Sequence, residues 1–254
     1  GFSHLRTTPP QCKFVATENL VEKITATKLP DEIEKIKKAC SLTVQVWNEV
    51  LPCLQTDMTE LDLVAELTYR ALKAGASALA FEPIVASGTR AALPHGKATA
   101  KKIAPGDFII IDFGCEVDGF KADFTRTVVA GEPTAKQRNM YEAVKQANAL
   151  AFSAIRPGMP ASELDRIVRD KLTALGYQKE FSHSLGHGLG LAVHELPRIG
   201  KNSRDSLPEN SVFTIEPGVY DSAIGGVRIE DTIWLSEEGR QRLTEADREL
   251  ISIH

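Results

Sequence analysis

One pattern is written twice in this chain, and it restricts the available folds more than any other feature. A proline turn, a continuous apolar run, an acid and a glycine appear in that order in PGDFIIIDFG (105–114) and again in SLPENSVFTIEPG (206–218). A returning run follows each copy: ADFTRTVVA after the first, GGVRIEDTIWL (225–235) after the second. Short apolar runs bounded by turn residues read as strands buried on both faces, and their return reads as hairpins. The acids fall at matching places. Asp112 and Glu216 close the apolar runs, while Asp123 and Glu230 lie on the returning strands eleven and fourteen residues later. Two such halves packed face to face bring four carboxylates together. The plainer alternative makes these acids turn residues or exposed ion-pair partners, but a lone charge closing a buried run is expensive. Without a cation the four would repel one another and hold protons. A metal is therefore expected.

The second feature is HSLGHGLGLAVH (183–194), which holds three of the six histidines together with three glycines. Glycine lets backbone approach a ligand closely, and imidazole binds first-row metals or carries protons near neutral pH. A glycine-rich turn bearing surface histidines is the structural alternative. Four carboxylates and a histidine suit two divalent first-row ions, and a donor set without thiolate argues against structural zinc. The chemistry of such a pair is hydrolytic: it acidifies a bridging water, clamps a carbonyl and stabilises the developing oxyanion.

Bulk properties exclude several other classes. The 254 residues can bury a sizeable core within one domain. A net charge of −4 gives no electrostatic reason to expect nucleic acid as partner. No apolar run approaches the roughly 20 residues of a membrane span, and no signal-peptide pattern opens the chain. Cys12, Cys40, Cys53 and Cys115 form no CxxC pair and read as reduced thiols, so a cytoplasmic location is expected.

In chain order, residues 1–29 have no period and Pro9-Pro10 breaks any regular element, so an irregular lead-in is expected. A helix starts near Pro30-Asp31 and runs to about Leu54, with Ile33, Ile36, Ala39 or Cys40, and Val44 inward. A second opens at a Thr59 capping box and closes at Gly75, with Leu61, Val64, Leu67 and Leu72 as its core face. Leu79–Ala86 reads as a strand that Pro83 confines to an edge or bulge, followed by a polar loop carrying His95. Asp123 is expected within the strand that follows the turn at 117–120. Thr134 and Gln137 cap a helix running to about Ile155, and Ser162 is expected to cap another that ends at Gly176.

IDFG and ADFTRT, then HSLGHGLGLAVHE, TIEPG and GGVRIED, resemble in order and spacing the motifs of the pita-bread metallopeptidases, most closely the aminopeptidase P/prolidase branch. The resemblance covers roughly residues 30–254, the expected catalytic domain. It implies an α+β pita-bread (creatinase/aminopeptidase) fold, with pseudo-twofold duplicated halves, curved antiparallel sheets and helices outside. It implies Asp112, Asp123, His187, Glu216 and Glu230 as ligands of two divalent ions, bridged by Asp123 and Glu230. Manganese is expected first, with cobalt, zinc or iron as alternatives. Glu216 would also handle the proton of the attacking water. His95, His183 and His194 match substrate-side histidines, of which His95 and His194 join Glu216 as catalytic groups. Val193 and Arg228 complete the substrate pocket, and Arg198 is a weaker candidate for reading a substrate carboxylate. Cys115, directly after the first acid–glycine turn, is read as a packed thiol.

The R-I-E-D form around Glu230 favours the proline-specific branch over methionine aminopeptidases. The implied reaction is hydrolysis of X–Pro bonds, releasing the amino-terminal residue from a peptide with proline second. Such a bond is a tertiary amide with no N–H, which defeats a peptidase that needs that donor. A methionine aminopeptidase-like enzyme and a catalytically silent peptide- or protein-binding module remain as alternatives. No nucleic acid or membrane partner is implied. Members of this branch carry a separate amino-terminal domain that helps form a dimer, so a homodimer is expected chiefly where that domain is present. The start at Gly1 favours a fragment, with residues 1–29 a lead-in or remnant of that domain. Preference between dipeptides and longer peptides stays open.

Overall fold

Hairpins and helices alternate along the chain in a way that repeats once. The computed structural model describes residues 15–254; Pro9, Pro10 and Cys12 lie outside them. Helix α1 (Leu20–Thr25) stands where an irregular lead-in is expected, and Thr27 then bridges to Ser211. α2 (Pro30–Val50) has proline in its first turn, and the Glu32 carboxylate accepts from the Leu29 N–H. It passes into a 3₁₀ turn, Leu51–Cys53. Its buried face contains Ile33, Ile36, Ala39 and Cys40, but Thr43, not Val44, points inward. The Thr43 hydroxyl donates to the Ala39 carbonyl and accepts from the Cys115 N–H, which ties α2 to the first acid–glycine turn.

α3 (Glu60–Lys73) starts at the expected cap, where Thr59 Oγ1 accepts from the Asp62 N–H and Asp62 accepts from the Thr59 N–H. Its face is rotated from the expected one. Glu60, Leu63, Leu67 and Ala71 are buried, whereas Leu61 and Leu72 are 49% and 52% exposed. The cause is polar: Glu60 turns inward to meet buried donors, and residues three, seven and eleven positions on follow it. Pro83 splits the expected strand over 79–86 into β1 (Ala78–Leu79) and β2 (Ile84–Ser87).

β3 (Phe108–Phe113) leads through the small hairpin β4 (Cys115–Val117) and β5 (Phe120–Lys121) to β6 (Phe124–Ala130). Asp123 therefore sits just ahead of the strand. α4 (Ala135–Ala154) carries the Thr134–Gln137 capping box, and α5 (Ala161–Ala174) follows. Ser162 lies inside α5 and caps nothing; the cap position is Pro160. After β7 (Gly186–Gly188) and β8 (Glu195–Ile199), β9 (Ser211–Ile215) leads through the hairpin β10 (Gly218–Asp221) and β11 (Gly225–Arg228) to β12 (Asp231–Ser236). β13 (Gly239–Arg242) and β14 (Ser252–Ile253) close the chain. Each half is thus a long strand, a small hairpin and a long returning strand.

The two larger sheets run β14-β6-β3-β2 and β13-β12-β9-β7-β8, beside the smaller β1-β4-β5 and β10-β11 sheets. Asp112 lies opposite Thr125 in the first, and Asp231 opposite Ile215 in the second. The halves are stitched along one seam, where β6 meets residues 228–232. The Glu230 N–H donates to the Thr125 carbonyl (3.1 Å) and the Arg228 N–H to the Thr127 hydroxyl (3.0 Å). The Thr232 hydroxyl donates to the Asp123 carbonyl (2.7 Å). This seam sets Asp123 beside Glu230. One hydrophobic core packs α4 and α5 on both sheets; another packs α2 and α3 against β3 and β6.

Behind the seam lies a buried ionic cluster. Asp231 accepts from Arg126 (2.8 Å), Arg242 (3.1 Å) and Arg248 (2.8 Å). Arg126, 2% exposed, also donates to the Thr125 and Glu230 carbonyls. Burial works to raise the Asp231 carboxyl, but the Arg126 and Arg248 guanidiniums outweigh it and hold the carboxyl below its usual range. Asp231→Ala leaves the buried Arg126 guanidinium without its carboxylate partner, so it is expected to cost about 3–5 kcal/mol. Urea denaturation checks this, and a loss below about 1 kcal/mol, typical of a surface pair, would contradict it.

Candidate metal centre

The seam and the histidine segment meet at one cavity of about 310 Å³. Its lining holds Asp112, Asp123, Glu216 and Glu230, the histidines His95, His183, His187 and His194, and Val193 and Arg228. Every residue expected at the site thus borders a single space, except Arg198. That arginine lies in an adjoining groove that shares His183, His187, His194 and Glu216 with the cavity. No helix among the described residues is long and apolar enough to cross a membrane.

Local chemistry aims each side chain. Asp165 of α5 pairs with Arg169 (2.6 and 3.1 Å), and Arg169 donates to the carbonyls of Phe181 and His183, anchoring the start of the histidine segment. The glycines of that segment are required by packing, since a Cβ on Gly186 or Gly188 would run into the backbone of Thr214 or Leu196. His187 Nδ1–H donates to the Gly188 carbonyl (3.1 Å) and leaves Nε2 facing Asp123 Oδ2 at 3.6 Å and Glu216 Oε1 at 3.5 Å. Ligand atoms of Asp123, His187 and Glu230 all lie within 4.8 Å of one another. The Thr125 hydroxyl donates to Glu230 (2.6 Å), and Arg228 Nη2 donates to Asp112 Oδ2 (2.6 Å).

Side chains beyond the expected set also shape this wall. The Tyr220 hydroxyl accepts from Arg228 Nη1 (2.9 Å) and donates to His183 Nε2 (2.8 Å). The direction is fixed because His183 Nδ1–H is committed to the Ser184 carbonyl. Phe81 and Ile84 add an apolar face. Tyr220 had a faint signal, two residues after Gly218 on the site face of its strand; Phe81 and Ile84 read only as strand residues.

The electrostatics call for a cation. Burial, then the neighbouring acids, drive the Asp123 and Glu216 carboxyls well above their usual range, and burial first pushes Glu230 up to about 8. Asp112 is raised by burial even with Arg228 against it, and its buried Oδ1 has no hydrogen-bond partner among the described residues. Burial, with His194 second, holds His187 down at about 4, so Nε2 keeps its lone pair. Four acids, one orphaned carboxylate oxygen and one free imidazole nitrogen fit hard or borderline divalent ions.

Comparison with known proteins agrees with this donor set. Residues 34–237 match the family model described as "Metallopeptidase family M24". The chain is 42% identical over 239 residues to the Xaa-Pro dipeptidase of Pyrococcus furiosus, covering 94% of this chain and 69% of that protein. Its structure is similar to an Xaa-Pro dipeptidase from Bacillus anthracis (TM-score 0.93, 38% identity, 96% of this chain and 68% of that one). It is likewise similar to an X-Pro aminopeptidase from Thermotoga maritima (TM-score 0.92, 38% identity, 99% and 72%). These likenesses make the architecture the α+β pita-bread fold.

The titration of the site predicts a distinctive pH dependence for metal-free protein. A carboxyl whose folded pKa exceeds its unfolded value binds more protons when folded, so stability falls as pH rises through that interval. The buried histidines act oppositely and cost stability only as pH drops below their ordinary 6.5. Between pH 6.5 and about 8 the carboxyls therefore act alone. The melting temperature of metal-free protein is expected to fall across that window, and saturating divalent metal to remove the fall, since binding releases the protons. A flat or rising profile without metal would contradict the site's charge balance.

Proposed function

The chain belongs to metallopeptidase family M24, and from that premise we propose that it hydrolyses X–Pro peptide bonds and releases the amino-terminal residue. The observation that carries the reading is the convergence of Asp112, Asp123, His187, Glu216 and Glu230 on one small cavity whose other walls are imidazoles, apolar side chains and Arg228. We assign those five as the residues that would hold two divalent ions, manganese first. Bound there, the ions supply Lewis-acid polarisation of the scissile carbonyl and acidify water. Residues 30–254 form the catalytic unit in this reading, and the free thiols Cys40, Cys53 and Cys115 suit a reducing, cytoplasmic compartment.

The chain's own groups handle protons and substrate. Glu216, at the edge of the carboxylate cluster and 3.5 Å from His187 Nε2, accepts the proton of the attacking water and delivers it to the departing proline nitrogen. That delivery matters because the leaving nitrogen carries no proton of its own. His194 is held below its usual range by burial, then by His95, so near neutral pH it donates a hydrogen bond as neutral imidazole. Its ring lies 4.2 Å from that of His187, beside the carboxylates. His95 shares the mouth of the cavity. His183 has both nitrogens committed to Ser184 and Tyr220 and serves as a fixed wall, with Arg228 behind it. The apolar Phe81, Ile84, Pro94 and Val193 offer a face to a pyrrolidine ring. Arg198, exposed in the adjoining groove, is placed to meet a substrate carboxylate.

Turnover of X–Pro dipeptides and X–Pro-containing longer peptides by manganese-loaded protein tests the reading. Preference for Met–Ala peptides would favour a methionine aminopeptidase-like enzyme. Metal binding well under one ion per chain, with no turnover, would favour a silent binding module. Asp123→Ala and Glu230→Ala are expected to lose metal and activity together while the fold survives. His194→Ala is expected to keep its metal and lower turnover by roughly 10²–10⁴-fold. Loss of metal from that variant would show that the wrong histidine has been assigned.

A further inference from the structure

Glu60 is a fully buried carboxylate that touches neither the cavity nor any of its ligands. It is nevertheless among the most heavily bonded acids in the molecule. Its Oε1 accepts from the Ser87 N–H (2.8 Å) and hydroxyl (2.9 Å), and its Oε2 from the Thr99 N–H (2.9 Å) and hydroxyl (2.8 Å). Arg90 Nε lies 3.3 and 3.2 Å from the two oxygens. Lys101, the other nearby cation, donates to Ser87 Oγ and to Asp107. One carboxylate thus gathers the two ends and the first turn of a single loop, residues 87–99.

That loop carries Pro94 and His95 into the cavity. Within it, Arg90 Nη2 donates to the Lys97 carbonyl (2.5 Å), and the Leu93 and Gly96 N–H groups close short turns. Its outer face lies flat on β11, where a Cβ at Gly225 or Gly226 would strike the carbonyl of Gly88 or Ala91. At the tip, the Pro94 carbonyl accepts from Arg228 Nη1 (3.0 Å). The loop is therefore pinned at its tip by the site and at its base by Glu60. Release of the base leaves the tip held only by the Arg228 bond and the packing on β11, and removes the anchor that fixes the loop from the side away from the cavity.

We propose that Glu60 is a positioning residue of the reaction: acting through the 87–99 loop, it sets where the His95 imidazole stands over the cavity. This rests on the peptidase reading above, in which His95 meets substrate. Glu60→Gln keeps the shape but turns one acceptor oxygen into a donor against donors already there, so half the clamp is lost. A misplacement of about 1 Å in a catalytic group costs on the order of 10²-fold.

The test is a double-mutant cycle on manganese-loaded full chain, with metal content and thermal denaturation recorded for each variant. Glu60→Gln is expected to lower kcat about 10- to 100-fold at unchanged metal content. In a His95→Ala background the same change is expected to have little further effect. Multiplicative losses in the double variant, or an unchanged kcat in folded Glu60→Gln, would overturn the proposal. Should Glu60→Gln fail to fold, Thr99→Ala, which removes one donor and keeps the backbone bond, carries the same cycle with a smaller loss. A second arm is independent of turnover: the His95 ring ¹H–¹⁵N resonances are expected to shift in Glu60→Gln, or in Thr99→Ala if that variant carries the cycle. Unmoved His95 resonances in a folded variant overturn the positioning role, whereas absence of wild-type turnover on X–Pro peptides removes only the peptidase reading.

Discussion

Like charges buried together must be neutralised, and the structure is arranged around that constraint. Asp112, Asp123 and Glu230 are each less than a tenth exposed, and Glu216 stands beside them. The permanent positive charge against them is Arg228, which is spent on Asp112. Burial raises all four carboxyls, and repulsion from neighbouring acids adds to it at Asp123, Glu216 and Glu230, so in metal-free protein they hold protons or destabilise the fold. Divalent cations resolve the conflict. The same arrangement that makes the site costly alone favours a bound divalent cation.

The duplication supplies the geometry. Each half brings an acid to the end of a buried strand and a second to its return, but one half alone holds only two. The seam between β6 and residues 228–232 turns two pairs into a cluster, with threonine hydroxyls completing the interstrand bonding at Thr127 and Thr232. Arg126 and Asp231 brace that seam from behind. Arg126 bonds the carbonyls of Thr125 and Glu230, one from each half. Asp231 is adjacent to a proposed ligand yet faces away from it, toward three arginines. Alternation along the strand sends neighbouring acids to opposite jobs.

Features set by short-range chemistry were legible in the sequence. Thr59 and Thr134 announced their helices because capping is a matter of three or four residues. The apolar runs at 108–113 and 211–215 announced buried strands, and their repetition announced the pairing of acids. Features set by partners far along the chain were not. Leu61 and Leu72 occupy good helical positions, but α3 is oriented by Glu60 and its donors at Ser87 and Thr99, 27 and 39 residues away. Ser162 has a capping side chain, yet α5 begins at Ala161 after Pro160. The short helix α1 has no buried face of its own and left no period to read. Arg126 and Asp231 left no local signal because their partnership spans 105 residues. Tyr220 gained a role only when Arg228 and His183 were brought to either side of it.

The central claim is that these five side chains share a pair of divalent ions, and an anomalous-scattering map from a manganese-soaked crystal tests it most directly. The account predicts two peaks, both within coordination distance of the cluster, with Asp123 and Glu230 between them and His187 Nε2 on one. A single peak, or peaks bound away from Asp112, Asp123, His187, Glu216 and Glu230, would contradict it.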